Sequence, residues 1–253
     1  MLLEGKNAVI YGGGGNLGRA AALAFAREGA RVFLAGRTRE TLDRVADEIR
    51  AAGGTADGAV VDALDERAVD EHAAAVVIAG GMLDISLNVI SDGDVQGIPM
   101  TQMTIEDYLR PIATAVTSKF LTSRAAARHM AAQGSGVIMA FGGATDPAGI
   151  KGYHYGGILA AFDVVESMRR QLALELADAG IRVVTLRTSG LPESIPADYA
   201  GREEIEASIV GRSLTGRAAT FEDVGNVAAF AASDWARTLT GTAINMTCGV
   251  SLD

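Results

Sequence analysis

Residues 12–18 read Gly-Gly-Gly-Gly-Asn-Leu-Gly, directly behind a short apolar run at 8–11 and ahead of an alanine-rich stretch. Glycine has no Cβ, so a backbone of this kind can turn with positive φ and approach a phosphate closely, while the first N–H groups of a following helix face the anion. Gly13, Gly15 and Gly18 keep the GxGxxG spacing of dinucleotide loops, and their place between a strand and a helix strengthens that reading. A second group could move a proton: Tyr153, His154 and Tyr155 stand together with Lys151 nearby and Thr145 and Asp146 shortly before. A histidine beside two tyrosines suits acid–base work; the alternative, which the residues favour, is that the tyrosines line an apolar pocket or a subunit contact and His154 is a surface residue.

The elements that must position these groups alternate. Apolar strands are expected at 8–11, 31–35, 59–61, 83–90, 136–141, 181–186 and 242–247. Helical spacing or composition marks 17–28, 38–50, 65–80, 104–133, 157–179 and 220–233. Asp65 is placed to cap the third helix, and Gly29 and Gly53-Gly54 are placed to end the first two. Strands alternating with helices imply an α/β fold: a single-domain, Rossmann-like, doubly wound parallel sheet of about seven strands with helices on both faces. Such sheets bind ligands at the carboxyl ends of their strands, where the topology switches.

A chain of 253 residues, 49% hydrophobic and 21% charged, can bury one large core. No polar linker, repeat or low-complexity tract divides it, so residues 1–253 are read as one domain. The net charge of -9 and the scattered arginines exclude the basic footprint of a nucleic-acid or anionic-membrane binder, leaving a small-molecule partner. A single cysteine, Cys248, excludes an internal disulfide, and three histidines exclude a dense metal cluster, so no metal is expected. With no signal peptide and no apolar span near twenty residues, the expected location is the cytoplasm.

Several local phrases resemble the short-chain dehydrogenase/reductase family over nearly the whole chain. Residues 12–18 are similar to its TGxxxGxG loop, Val61-Asp62 to its adenine-contacting aspartate, and residues 135–138 to the start of its fifth strand. Residues 171–177 with 180–183, then Gly216-Arg217 with residues 222–224, then residues 232–234 with 239–242, follow its C-terminal half in order and spacing. The resemblance implies nicotinamide cofactor binding through Gly12, Gly15, Asn16, Leu17, Gly18, Asp62, Ala63 and Asn88, the first Asn of that family's Asn-Asn-Ala-Gly. Asn16 replaces the middle glycine, and asparagine is the non-glycine residue that best tolerates a left-handed conformation there.

An NAD site usually ends its second strand with a carboxylate for the ribose 2′-OH, whereas a 2′-phosphate wants a cation. Here Gly36 is followed by Arg37 and Thr38, so NADP(H) is the expected cofactor, with Arg19 available as a second charge; Arg37 and Arg39 as plain solvated charges are the alternative.

The family's hydride-transfer site uses a tyrosine, a lysine four residues later, a serine and an asparagine. Aligned back from Gln171-Leu-Ala, the tyrosine and lysine positions hold Ile158 and Phe162. The serine falls at Gly142 or Gly143, and counting back from Phe120 puts Ala115 at the asparagine. The resemblance therefore implies a divergent member in which the usual proton donor is absent, with Tyr155 and His154 as substitutes. Around the nicotinamide, residues 88–91 read Asn-Val-Ile-Ser, and Thr188-Ser189 replace a Pro-Gly. Residues 190–212 occupy the family's substrate lid, and Met100, Met103 and Tyr199 are candidates to face an apolar ligand.

Three functions follow as expectations. The first is an NADP(H)-dependent oxidoreductase acting on a small, largely apolar carbonyl or alkene. The second is an inactive NADP(H)-binding homologue serving as sensor or regulatory subunit, and the third is cofactor-independent isomerase or lyase chemistry. The long apolar helices at 104–133 and 157–179 also imply a homodimer or homotetramer.

Overall fold

The computed structural model describes residues 1–143, 153–199 and 201–252. Its seven strands are β1 (Asn7–Tyr11), β2 (Arg31–Gly36), β3 (Thr55–Val60), β4 (Ile85–Asn88), β5 (Gly136–Gly143), β6 (Ile181–Thr188) and β7 (Thr242–Asn245). They form one sheet in the order β3-β2-β1-β4-β5-β6-β7, every described pairing parallel. The helices are α1 (Asn16–Arg27), α2 (Arg39–Ala51), α3 (Glu66–Gly80), α4 (Ile105–Gln133), α5 (Ile158–Leu176), α6 (Arg202–Gly211) and α7 (Phe221–Ala232).

Side chains alternate across each strand, so one sheet buries two cores. Ala8 and Ile10 of β1 join Val32 and Leu34 of β2 and the inner face of α1 on one side. Val9 and Tyr11 join Phe33, Ala35, Val76 of α3 and Leu121 of α4 on the other. The order of the sheet reverses between β1 and β4, which flank one another with Tyr11 opposite Asn88, and the ligand crevice opens above that point.

Several helix starts follow their local chemistry. Asp65 accepts the Ala68 N–H at 3.1 Å ahead of α3, and Thr104 accepts from Asp107 at 3.1 Å ahead of α4. At α7 Thr220 and Asp223 form a reciprocal capping box.

Two elements depart from expectation. Strand β3 runs over Thr55–Val60 rather than 59–61, because it is the sheet's edge and half of its residues need not be apolar; its Asp57 pairs with Arg31 at 2.9 Å. The segment expected as a lid carries an unforeseen helix, α6, preceded by a one-turn helix at Pro192–Ser194.

Candidate functional site

The phosphate end of the cleft is built by close backbone approach. Gly12 leaves β1 with φ +88°, and a Cβ there would press on the Val89 carbonyl at 3.0 Å. The N–H groups of Gly12 and Gly13 donate to the Ala35 carbonyl oxygen at 2.8 and 3.1 Å, which ties the loop to the end of β2. A Cβ on Gly18 would overlap the Gly12 carbonyl oxygen and stand 2.7 Å from the Gly13 Cα, so the start of α1 lies directly on the loop. Gly15 caps α1 without a side chain, and the first turn holds no acidic residue. The orphan N–H groups of that turn are therefore left for an anion, and Gly15, Asn16, Leu17 and Gly18 all line the cleft. Asn16 differs from expectation in one respect: it opens α1 with negative φ, so its tolerance of the left-handed region plays no part.

Next along the cleft stand Arg37, Thr38, Asp62 and Ala63. Arg37 is exposed and makes no ion pair among the described residues, and the Thr38 hydroxyl makes no cap hydrogen bond at the start of α2. Asp62 accepts the Leu64 N–H at 3.0 Å, which fixes the turn after β3. Arg19 does not serve as a second charge: Glu48 holds its guanidinium at 2.6 Å, away from the cleft lining. Arg39 is likewise engaged, donating to the Gly58 carbonyl at 2.8 Å.

At the inner end the expectations divide. Asn88 is buried and does not line the cleft; its amide donates to Thr122 Oγ1 at 3.0 Å and accepts the Ile90 N–H at 3.1 Å. It braces the turn after β4 instead of touching a ligand. Ala115 is fully buried in α4. Gly142, Ile158 and Phe162 do line the cleft, so three of the four positions indicated by the resemblance converge there with no polar side chain among them.

Of the substitutes, Tyr155 lines the cleft with Tyr153, their ring centroids 4.6 Å apart. Burial pushes the Tyr155 hydroxyl up, and the charge and hydrogen bond of Arg212 pull it part of the way back. The Tyr153 hydroxyl donates to Gln96 Oε1 at 2.5 Å, and burial pushes it up as well. His154 does not take the expected place: it is exposed and absent from the lining, and among the described residues its carbonyl oxygen accepts from the Gly97 N–H at 2.8 Å. Thr145, Asp146 and Lys151 lie outside the described residues. The expected apolar contacts are also redistributed. Met100 and Tyr199 are exposed and Met103 packs beside Gly156, whereas Leu191, Ile195, Ile205 and Ile209 face the cleft from the lid segment.

One pair at this end went unread in the sequence. Asp92, four residues beyond Asn88, lines the cleft, and Lys119 Nζ of α4 stands 2.6 Å from its Oδ1, both side chains almost wholly buried. A lysine on the inward face of α4, one turn after Ala115, was the available signal.

The cleft as a whole encloses about 1750 Å³. Single small-molecule sites run to roughly 300–1,000 Å³, so there is room for a dinucleotide and a second molecule. The glycine cradle, the uncapped α1 terminus and the unpaired Arg37 fit the phosphates of such a group. Among the described residues no His, Cys, Asp or Glu cluster could hold a metal ion, and no helix is long and apolar enough to cross a membrane.

Known proteins agree with this architecture. The family described as enoyl-(acyl carrier protein) reductase matches residues 14–251. A 2,5-dichloro-2,5-cyclohexadiene-1,4-diol dehydrogenase of Sphingobium indicum is 31% identical over 256 residues, covering 99% of this chain and 98% of its own. An L-rhamnose 1-dehydrogenase (NAD(P)(+)) of Azotobacter vinelandii is 30% identical over 250 residues, with 96% of each chain covered. Among solved structures, a short-chain type dehydrogenase/reductase from Mycobacterium marinum superposes with a TM-score of 0.84 at 26% identity, over 99% of this chain and 97% of that one. The match runs from the glycine loop to the last strand, and the chain belongs to the short-chain dehydrogenase/reductase family of oxidoreductases, whose members bind nicotinamide cofactors.

Proposed function

We propose that the chain is an NADP(H)-dependent oxidoreductase acting on a small, largely apolar carbonyl or alkene, with a proton donor other than the family's tyrosine. The observation that carries the cofactor choice is Arg37: it stands just past the end of β2, in the cleft, with no ion pair among the described residues and no carboxylate at the adjoining strand end. A guanidinium without a partner suits a 2′-phosphate, with the Thr38 hydroxyl as a further donor. Arg37 and Thr38 hold the 2′-phosphate, the loop from Gly12 and the first turn of α1 hold the pyrophosphate, and Asp62 with Ala63 borders the adenine. When bound, the dinucleotide supplies or accepts a hydride. The inner walls, formed by Ile158, Phe162, Leu191 and Ile209, exclude water and favour an apolar substrate. The related dehydrogenases support the reaction class.

A second reading is favoured by Ala115, Gly142, Ile158 and Phe162. With the family's four polar roles vacated, the chain binds NADP(H) without turnover and acts as a sensor or regulatory subunit. NADPH deuterated at C4 separates the two. Transfer of deuterium to a product supports the first reading, binding without transfer supports the second, and no binding of NADPH sinks both. Either form is a homodimer or homotetramer through α4 and α5, where Leu109, Phe120, Val164 and Leu174 stand exposed; a light-scattering mass of 26.1 kDa rejects that assembly.

A further inference from the structure

The cleft holds one buried acid whose surroundings fit proton transfer better than structural support. Asp92 is 8% exposed and Lys119 1%. Their contact, Oδ1 to Nζ at 2.6 Å, bridges 27 residues of sequence and joins the turn after β4 to the middle of α4. Burying a carboxylate and an ammonium is costly unless further hydrogen bonds complete both groups. Here they are not completed: among the described residues Asp92 is the acceptor for Lys119, and no other side-chain or backbone donor meets the carboxyl. Replacing such a pair by apolar residues of similar volume is often neutral or stabilising, so stability is a weak reason for its presence.

The pair also stands where the chemistry requires it. Lys119 is one turn beyond Ala115 on the same face of α4, and both are buried. Its ammonium is hydrogen-bonded to Oδ1, which leaves Oδ2 as the carboxyl oxygen not held by Lys119, and Asp92 lines the cleft together with Gly142, Tyr155 and Ile158.

We propose that Asp92, held by Lys119, is the acid–base residue of this cleft, handing a proton to the oxygen of a carbonyl substrate. The proposal rests on the oxidoreductase reading above and supplies the donor it lacks. In the reducing direction a bound reduced dinucleotide would supply the hydride for the new C–H bond, giving up its own C4–H bond; the C=O π pair forms the new O–H bond with the proton of Asp92 Oδ2, whose O–H bond breaks. The carboxylate left behind is neutralised by the Lys119 ammonium already bonded to Oδ1. Asp92 then takes a fresh proton from solvent water entering the cleft, and both electrons of the reduction come from the dinucleotide. In the oxidising direction the carboxylate removes the alcohol proton. Burial supports the neutral acid by pushing the Asp92 carboxyl up; the charge and hydrogen bond of Lys119 pull it down, and Asp94 pushes it up again. Arg110 of α4, which packs near Gly93, is occupied by Asp107 at 2.8 Å.

Two measurements test this together. In cofactor-free protein labelled with carbon-13 at aspartate carboxyls, one signal is expected to titrate above the ordinary aspartate range and to vanish in Asp92→Asn. With C4-deuterated NADPH and 2-cyclohexen-1-one among a set of cyclic ketones and enones, Asp92→Asn is expected to slow transfer by about 10²-fold with NADPH affinity unchanged. Because loss of one partner can unfold a protein, the double variant Asp92→Leu/Lys119→Met, which leaves no unpaired charge, is measured beside it and is expected to fold, bind NADPH and lose transfer equally. An Asp92 carboxyl ionised throughout the ordinary range, or a folded double variant that transfers at the wild-type rate, overturns the proposal. Absence of transfer by the wild-type chain instead overturns the oxidoreductase reading, while the carboxyl titration still reports on Asp92 by itself.

Discussion

The ring of Phe162 on α5 lies against the backbone of Gly143 on β5 so closely that a Cβ built on Gly143 would overlap it. The two residues that occupy or adjoin the lysine and serine positions of the resemblance are thus sterically coupled: an aromatic ring at 162 requires a glycine at 143. Gly143→Ser is expected to destabilise by about 1–3 kcal/mol through overpacking. Combined with Phe162→Ala, which removes the ring, that penalty should largely disappear, giving a coupling of about 1 kcal/mol or more. Urea unfolding of the two single variants and the double variant measures it; additive effects would reject the coupling.

Arg37→Ala should weaken NADPH binding by about 1.5–3 kcal/mol, roughly tenfold to more than a hundredfold, the usual worth of hydrogen bonds to a charged group. NADH carries no 2′-phosphate and should bind as before. Arg37 is exposed, so the difference should shrink as salt is raised. Calorimetric titration of both cofactors at two ionic strengths decides, and an equal loss for NADH would reject the assignment.

How much of this was legible in the sequence depends on the range of the interaction. The glycine loop, the strand-helix alternation and the cap at Asp65 are local and were read there, whereas the cap at Thr104 and the order of the strands appear only in the structure. Edge strand β3 was misplaced because half its residues face water, and α6 was missed because its short, acidic first turn carries little apolar periodicity. Orientation was hidden as well: Asn88 stood in the expected place, yet its amide turns to Thr122 and away from the cleft. The Asp92–Lys119 pair joins residues too distant for any spacing rule to connect.

His72 on α3 provides a pH signature. It is buried with Nδ1 3.5 Å from the Tyr11 hydroxyl, and burial lowers its pKa to about 4. The folded value lies below the unfolded one, so the unfolded chain binds the proton first and stability falls as pH drops. This contribution is intact above about 6.5 and is lost between there and about 4, by roughly 3 kcal/mol. In His72→Gln, which keeps a polar partner for Tyr11 without titrating, that portion of the slope should vanish. Unfolding free energies at pH 7 and 4.5 for both proteins test it; parallel slopes would show that His72 is not the group responsible.

Gly15 and Gly18 both line the cleft and differ in what surrounds them, so the same substitution should act through different physics. At Gly18 a Cβ would overlap the Gly12 carbonyl oxygen and lie 2.7 Å from the Gly13 Cα, backbone on every side, so relief requires the loop itself to move. Gly18→Ala should therefore cost about 1–3 kcal/mol of stability and most of the NADPH affinity together. At Gly15 a Cβ meets only the Gly12 oxygen at 3.5 Å, an ordinary contact, and the backbone φ of -83° suits any residue. Gly15→Ala should leave stability within about 0.5 kcal/mol of the parent. It nevertheless places a methyl over the uncapped N-terminus of α1, where a pyrophosphate must come close to the backbone, and should weaken both cofactors alike. Thermal melts paired with titrations of NADPH and NADH distinguish the cases. A Gly15→Ala protein with undiminished affinity for both would remove the α1 terminus from the binding site.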